Sequence, residues 1–220
     1  MISIREFMIV IGVDLSGPVN TQDTAVAVFK ASEKRLVRDD VLNGANDHDI
    51  EALFRSFKGQ ANILVGIDAP LSYNPGGGDR PGDASLRQTL RAAGMLPGSV
   101  MTPTMTRMVY LTLRGMAVAR LVLQICPVAR IVEVHPGGAM VLRGAWVDGV
   151  RAIKKSSDVR KRLLTWLGEQ GLVGVDSEDD PSDHYVSACA AALGAWKWHL
   201  GEPAWLMAAL PPIHPFDYIC

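Results

Sequence analysis

Three stretches near the start of the chain carry apolar residues in strand-like patterns. Residues 7–15 form an almost unbroken apolar run of strand length, the pattern of a strand buried on both faces. Residues 23–31 (DTAVAVFKA) alternate as a half-buried strand does, and 34–42 (KRLVRDDVL) offer a third after a short polar turn. Their short connections predict an antiparallel meander. In 46–57 (NDHDIEALFRSF), Ile50, Leu53, Phe54 and Phe57 fall on one helical face, with Asn46 or Asp47 placed to cap it. The apolar run 62–70 (NILVGIDAP) then reads as a buried strand, and arrival through a helix predicts that it lies parallel to a neighbour.

The rest of the chain reads mostly as helix. A Gly- and Pro-rich loop at 73–83 resembles a flexible flap and leads into a helix at 84–93 that Asp83 can cap. A helix is expected at 106–124, and a short β-rich run at 129–136 has Glu133 in its middle. Further helices are expected at 154–169 and, rich in alanine, at 179–198 with Pro181 near its first turn. The tail is broken by prolines and offers at most a short strand. Together these elements predict one α/β domain over 1–220, with a helical and loop insertion at about 71–127. Its sheet is expected to be five-stranded and mixed, three antiparallel strands followed by two parallel ones, flanked by helices.

Composition removes several function classes. At 220 residues, 48% hydrophobic and 20% charged, the chain has the make-up of a folded globular protein. A net charge of -1 gives no global field that would attract nucleic acid, so polyanion contact would need a local patch. The segment 151–162 (RAIKKSSDVRKR) is the dense cationic stretch, and Lys154, Lys155, Arg160 and Arg162 are its candidates for phosphate contact; a solvated helix face is the alternative. Three widely spaced cysteines without a CxxC pair suggest neither a disulfide framework nor a zinc site, and a reducing cytoplasm is expected. The apolar segment at 7–13 reads as a strand rather than a signal. No uncharged run approaches the ~20 residues of a membrane helix, so no membrane partner is expected, while self-association into a homo-oligomer stays open.

The candidate chemistry lies at the ends of the apolar runs. Asp14 ends the first strand, Asp68 ends the fourth, and Asp183 falls near the start of the last long helix. The element order predicts that they converge at one edge of the sheet. Clustered carboxylates raise one another's pKa unless a cation sits between them, and an all-oxygen ligand set suits Mg²⁺ or Mn²⁺. Two such ions can activate water and stabilise the leaving oxygen in phosphodiester cleavage. Glu133 is placed to bridge the ions or orient the water, unless it faces solvent from an edge strand. Asp180, one helical turn before Asp183, is expected to share its face. The plainer alternatives are turn caps for Asp14 and Asp68, and helix-dipole partners for Asp179, Asp180 and Asp183. His184 is either a proton shuttle or a structural side chain.

Six segments in order carry a family likeness: GVDLSG (12–17), GIDAPL (66–71), GDASLRQTL (82–90), YLTLRG (110–115), VEVHPGGA (132–139) and DDPSDHYVSACAAA (179–192). They resemble the ribonuclease-H-like superfamily and, more closely, the predicted nucleases catalogued as domain of unknown function 429, relatives of the Holliday-junction resolvases. The resemblance implies a divalent-metal nuclease with metal-binding carboxylates at Asp14, Asp68 and Asp183. It places Glu133 in a recurrent Glu-x-x-Pro turn, and Asp83, Arg87 and Arg114 in further motifs. Arg87 and Arg114 are expected to pair with acids such as Asp83 and so order the surroundings of the site. The rival readings are an actin-like or sugar-kinase-like phosphotransferase using Mg-nucleotide, for which 220 residues is short, and a non-catalytic binding protein of the same fold.

Overall fold

The computed structural model of the chain describes residues 7–32, 34–177 and 179–220. The first six residues of the expected domain lie outside these. Strands β1 (Met8–Asp14), β2 (Ala25–Ser32) and β3 (Arg35–Asn43) form the expected antiparallel meander. Helix α1 (Asp47–Ser56) follows, its first turn closed by a capping box. The Asn46 side chain accepts from the His48 and Asp49 N–H groups, while the Asp49 carboxylate accepts from the Asn46 N–H. Strand β4 (Ile63–Asp68) runs parallel to β1. Helices α2 (Pro81–Ala92) and α3 (Val109–Ile125) fill the expected insertion, and β5 (Arg130–Val134) then pairs parallel to β4. The chain continues through α4 (Pro136–Leu142), α5 (Val147–Ala152), α6 (Ser157–Glu169), β6 (Leu172–Val173), α7 (Asp183–His199), β7 (Leu206–Met207) and β8 (Tyr218–Ile219).

The sheet has eight strands in the order β6-β3-β2-β1-β4-β5-β8-β7, not five. The five long strands stand in the expected order and directions. The three extra strands have two residues each and lie toward the sheet's two edges, and so short a strand leaves no alternation to read. The last long helix is also shorter than expected. Its N-cap is Ser182, in extended backbone, whose side chain accepts from the Tyr185 N–H. Asp180 therefore lies before the helix and does not share a helical face with Asp183, correcting the expected spacing.

Helices cover both faces of the sheet. Ile9, Ile11, Val13, Ile63, Val65 and Ile67 pack with α1 and α3, while Val10, Leu64 and Val132 pack with the alanine-rich α7. Alternation along β1 and β4 thus puts positions 10, 12 and 14, and 64, 66 and 68, on the α7 side. Gly12 and Gly66 let that helix approach closely. A Cβ at Gly12 would lie 1.9 Å from the Ala188 carbonyl oxygen, and one at Gly66 would lie 2.5 Å from that of Ala191. Among the described residues no helix is long and apolar enough to cross a membrane.

Gly12→Ala should therefore destabilise the fold by at least about 1–3 kcal/mol through overpacking. Gly17→Ala, where an added Cβ meets nothing within 4 Å, should change stability by less than about 0.5 kcal/mol. Urea unfolding of both variants checks the contrast.

Candidate functional site

Asp14 and Asp68 are register partners at the carboxyl ends of adjacent parallel strands, and both project toward the start of α7. Asp14 is buried, at 7% exposure. The Ser16 N–H donates to Thr24 Oγ1 and not to Asp14. Oδ2 of Asp14 lies 2.7 Å from Nδ1 of His184. Nε2 of the same imidazole lies 3.9 Å from Asp183 and 4.0 Å from Asp23. Asp14, Asp68, Glu133, Asp183, His184 and Lys154 line one open cleft of about 400 Å³, together with Arg80, Asp83 and the apolar Val100, Met101, Met108 and Leu111.

Burial dominates the electrostatics of this pair. It pushes the carboxyls of both Asp14 and Asp68 up, and the neighbouring Asp14 charge raises Asp68 further, well above the usual carboxylate range. The hydrogen bond to Asp14 in turn raises His184 against the opposing effect of its own burial. Asp14 thus has His184 as its hydrogen-bond partner and Asp68 as a like-charged neighbour.

Glu133 has a different environment. Arg80 grips it through two guanidinium nitrogens, at 2.6 and 2.8 Å, and the Leu71 N–H donates to it at 2.8 Å. Arg80 also binds Asp83 through Nε and a terminal nitrogen and donates to Ser72, with the Tyr218 ring 5.1 Å from its centre. Burial raises the Glu133 carboxyl, and Arg80 pulls it back. Arg80 was not among the expected site residues. Its spacing of three from Asp83 at a helix start was a readable signal, but its pairing with a glutamate 53 positions away was not.

The other predicted positions separate. Arg87 and Arg114 each pair with an acid as expected, though with Asp79 and Asp47, while Asp83 pairs with Arg80. Arg87 binds Asp79, at 2.5 and 3.0 Å, and the Val100 carbonyl, so it anchors the glycine-rich loop instead. Thr102 also donates to Asp79, and the Gly78 N–H donates to Thr104. These bonds fix a segment that the sequence suggested as a flexible flap. Arg114 binds Asp47 and donates to Ser16, Thr24 and Ala45, because α3 packs behind the turn that follows β1. Asp180 is exposed, accepts from Ser157 and lines a neighbouring hollow. Of the cationic segment, Lys154 lines the cleft and Lys155 is exposed. Arg160 holds the Pro181 carbonyl, and Arg162 lies over the Trp146 ring.

The chemistry of the donors fits a divalent cation at Asp14 and Asp68. Both carboxyls are disfavoured as anions by burial and by each other, and a cation in place of their proton removes that conflict. Glu133 does not fit as a ligand, since its oxygens are engaged by Arg80 and Leu71. Among the described residues, no group of three or more His, Cys, Asp or Glu side chains is arranged around a metal position in this conformation.

The fold and site define a mixed α/β protein with an acid-lined cleft at the carboxyl ends of parallel strands, where open α/β sheets bind their ligands. The chain belongs to the family described as protein of unknown function (DUF429), whose model matches residues 12–210. Comparison with curated proteins and with solved structures gave no match.

Removing Arg80 leaves two buried acids without their partner, so Arg80→Met should cost about 3–5 kcal/mol in urea unfolding. Adding Glu133→Gln to it should recover part of that loss. Arg87 and Thr102 lower the Asp79 carboxyl from 3.8 to about 2. A carboxyl lowered on folding stabilises the fold above its unfolded pKa and loses that contribution as pH falls through the folded one. Thermal melts should therefore show Asp79→Asn less stable than wild type at pH 7, with the gap closing between pH 3.8 and about 2.

Proposed function

We propose that the protein is a divalent-metal-dependent phosphodiesterase of the ribonuclease-H-like type, acting on nucleic acid. The observation that carries this reading is the juxtaposition of Asp14 and Asp68 in register, beneath His184 and beside Lys154, in one open cleft. The strand order β3-β2-β1-β4-β5, antiparallel and then parallel, supports it as well.

In this reading Asp14 and Asp68 hold Mg²⁺ or Mn²⁺, with Asp183 at hand as a further oxygen donor, while Asp180 and Glu133 lie outside the ligand set. When bound, the ion supplies Lewis-acid polarisation of a phosphoryl oxygen and a lowered pKa for a coordinated water. The chain's own groups do the positioning. The bond from Asp14 to Nδ1 of His184 orients the imidazole and leaves Nε2 toward the cleft, between Asp183 and Asp23. Lys154 meets substrate phosphate as an exposed point charge, and Lys155 extends the cationic surface away from the cleft. Val100, Met101, Met108 and Leu111 make the facing wall apolar. The buried Cys126, Cys189 and Cys220 accord with a reducing cytoplasm as the working compartment.

The test offers single-stranded DNA, RNA and a branched duplex to the purified protein with Mn²⁺ or Mg²⁺. Wild type should cleave at least one of them. Asp14→Asn should lower the rate by more than about 100-fold, beyond the loss typical of an outer-shell partner, while keeping a cooperative melt. A wild type that cleaves none of these substrates but releases phosphate from ATP would sink the nuclease reading in favour of the phosphotransferase.

A further inference from the structure

Asp14 and Asp68 follow Gly12 and Gly66 at a spacing of two, so both acids leave the sheet on the face that carries α7. Glu133 is paired in register with Ile67 and follows Ile131 by two, and both isoleucines belong to the core on the opposite face. The pleat therefore brings Glu133 to the same cleft from the opposite face of the sheet, beside the start of α2.

There it meets Arg80, which spends all of its guanidinium donors on buried partners. Nε reaches Asp83, one terminal nitrogen reaches Ser72 and Glu133, and the other reaches Asp83 and Glu133. Glu133 accepts one bond at Oε1 and two at Oε2, the second of these from the Leu71 N–H. A carboxylate offers about four acceptor positions, and three are taken. Turning Glu133 toward a cation would cost the buried guanidinium two of its bonds and leave the Leu71 N–H unpaired.

Lys154 stands on the other side of the same cleft. It follows α5, exposed, and lines the cleft together with Asp14 and Asp68. An ammonium in this place does electrostatically what a second ion does elsewhere, and it pays no desolvation cost to stand there.

The geometry points to a centre for one divalent cation, held by Asp14 and Asp68, in which Glu133 is not a ligand and the Lys154 ammonium supplies the second positive charge. This inference rests on the metal-dependent reading above, and the number of bound ions separates the two claims.

The experiment titrates the full chain with Mn²⁺, following free ion by electron paramagnetic resonance and binding by calorimetry. Wild type should bind one ion per chain. Glu133→Gln should leave the count at one. Lys154→Met, at an exposed position that folding does not depend on, should keep the count at one and bind Mn²⁺ severalfold more tightly, because a competing positive charge is gone. Asp14→Asn should weaken binding by more than about tenfold. Two ions in wild type overturn the inference and leave the metal-dependent reading standing, as does a weaker or unchanged affinity in Lys154→Met. No binding at millimolar Mn²⁺ overturns both. If Glu133→Gln fails to fold, the wild-type count and Lys154→Met decide.

Discussion

The close approach of α7 to the middle of the sheet sets the position of everything at the site. Gly12 on β1 and Gly66 on β4 have no side chain to hold the helix off, and the helix answers with alanines at 188, 191, 192 and 195. Its backbone therefore rests almost on the strands. Two residues further along each strand lie Asp14 and Asp68, and one turn back along the helix lie Asp183 and His184. A 2.7 Å contact between Asp14 and His184, 170 positions apart, follows from that packing. A helix held off by larger side chains would carry the imidazole away from the acid.

Burying acids at a strand end is costly, and the molecule meets the cost in two different ways. Asp83 and Glu133 are both hydrogen-bonded by the single Arg80 guanidinium, which has no donor left over. Asp14 and Asp68 receive only the half-buried His184 and each other. The first arrangement is held together by its own bonds; the second, in the same cleft, is suited to a ligand of positive charge. Arg114 completes the frame by tying the turn after β1 to the start of α1 through Ser16, Thr24, Ala45 and Asp47.

Much of this was legible from the chain alone. Apolar runs and alternation gave the five long strands and their directions, and the repeated acid at the ends of two of them gave Asp14 and Asp68 as a pair. Strands of two residues carry no period, so β6, β7 and β8 were invisible. Arginine partners were misread because proximity in sequence was the only guide. Arg87 lies four positions from Asp83 yet turns back to Asp79, while Arg80 takes Asp83 at the same time as a glutamate from a distant strand. The face on which Glu133 stands needed the register of β5 against β4, which no local pattern contains.

The central claim is that Asp14 and Asp68 form a seat for a divalent cation. It is tested most directly by anomalous diffraction from a crystal soaked in Mn²⁺. The account predicts one peak in the cleft, at ~2.0–2.3 Å from a carboxylate oxygen of each aspartate, with Glu133 still bound to Arg80. A peak coordinated by Glu133, or no peak between Asp14 and Asp68 at saturating Mn²⁺, would contradict it.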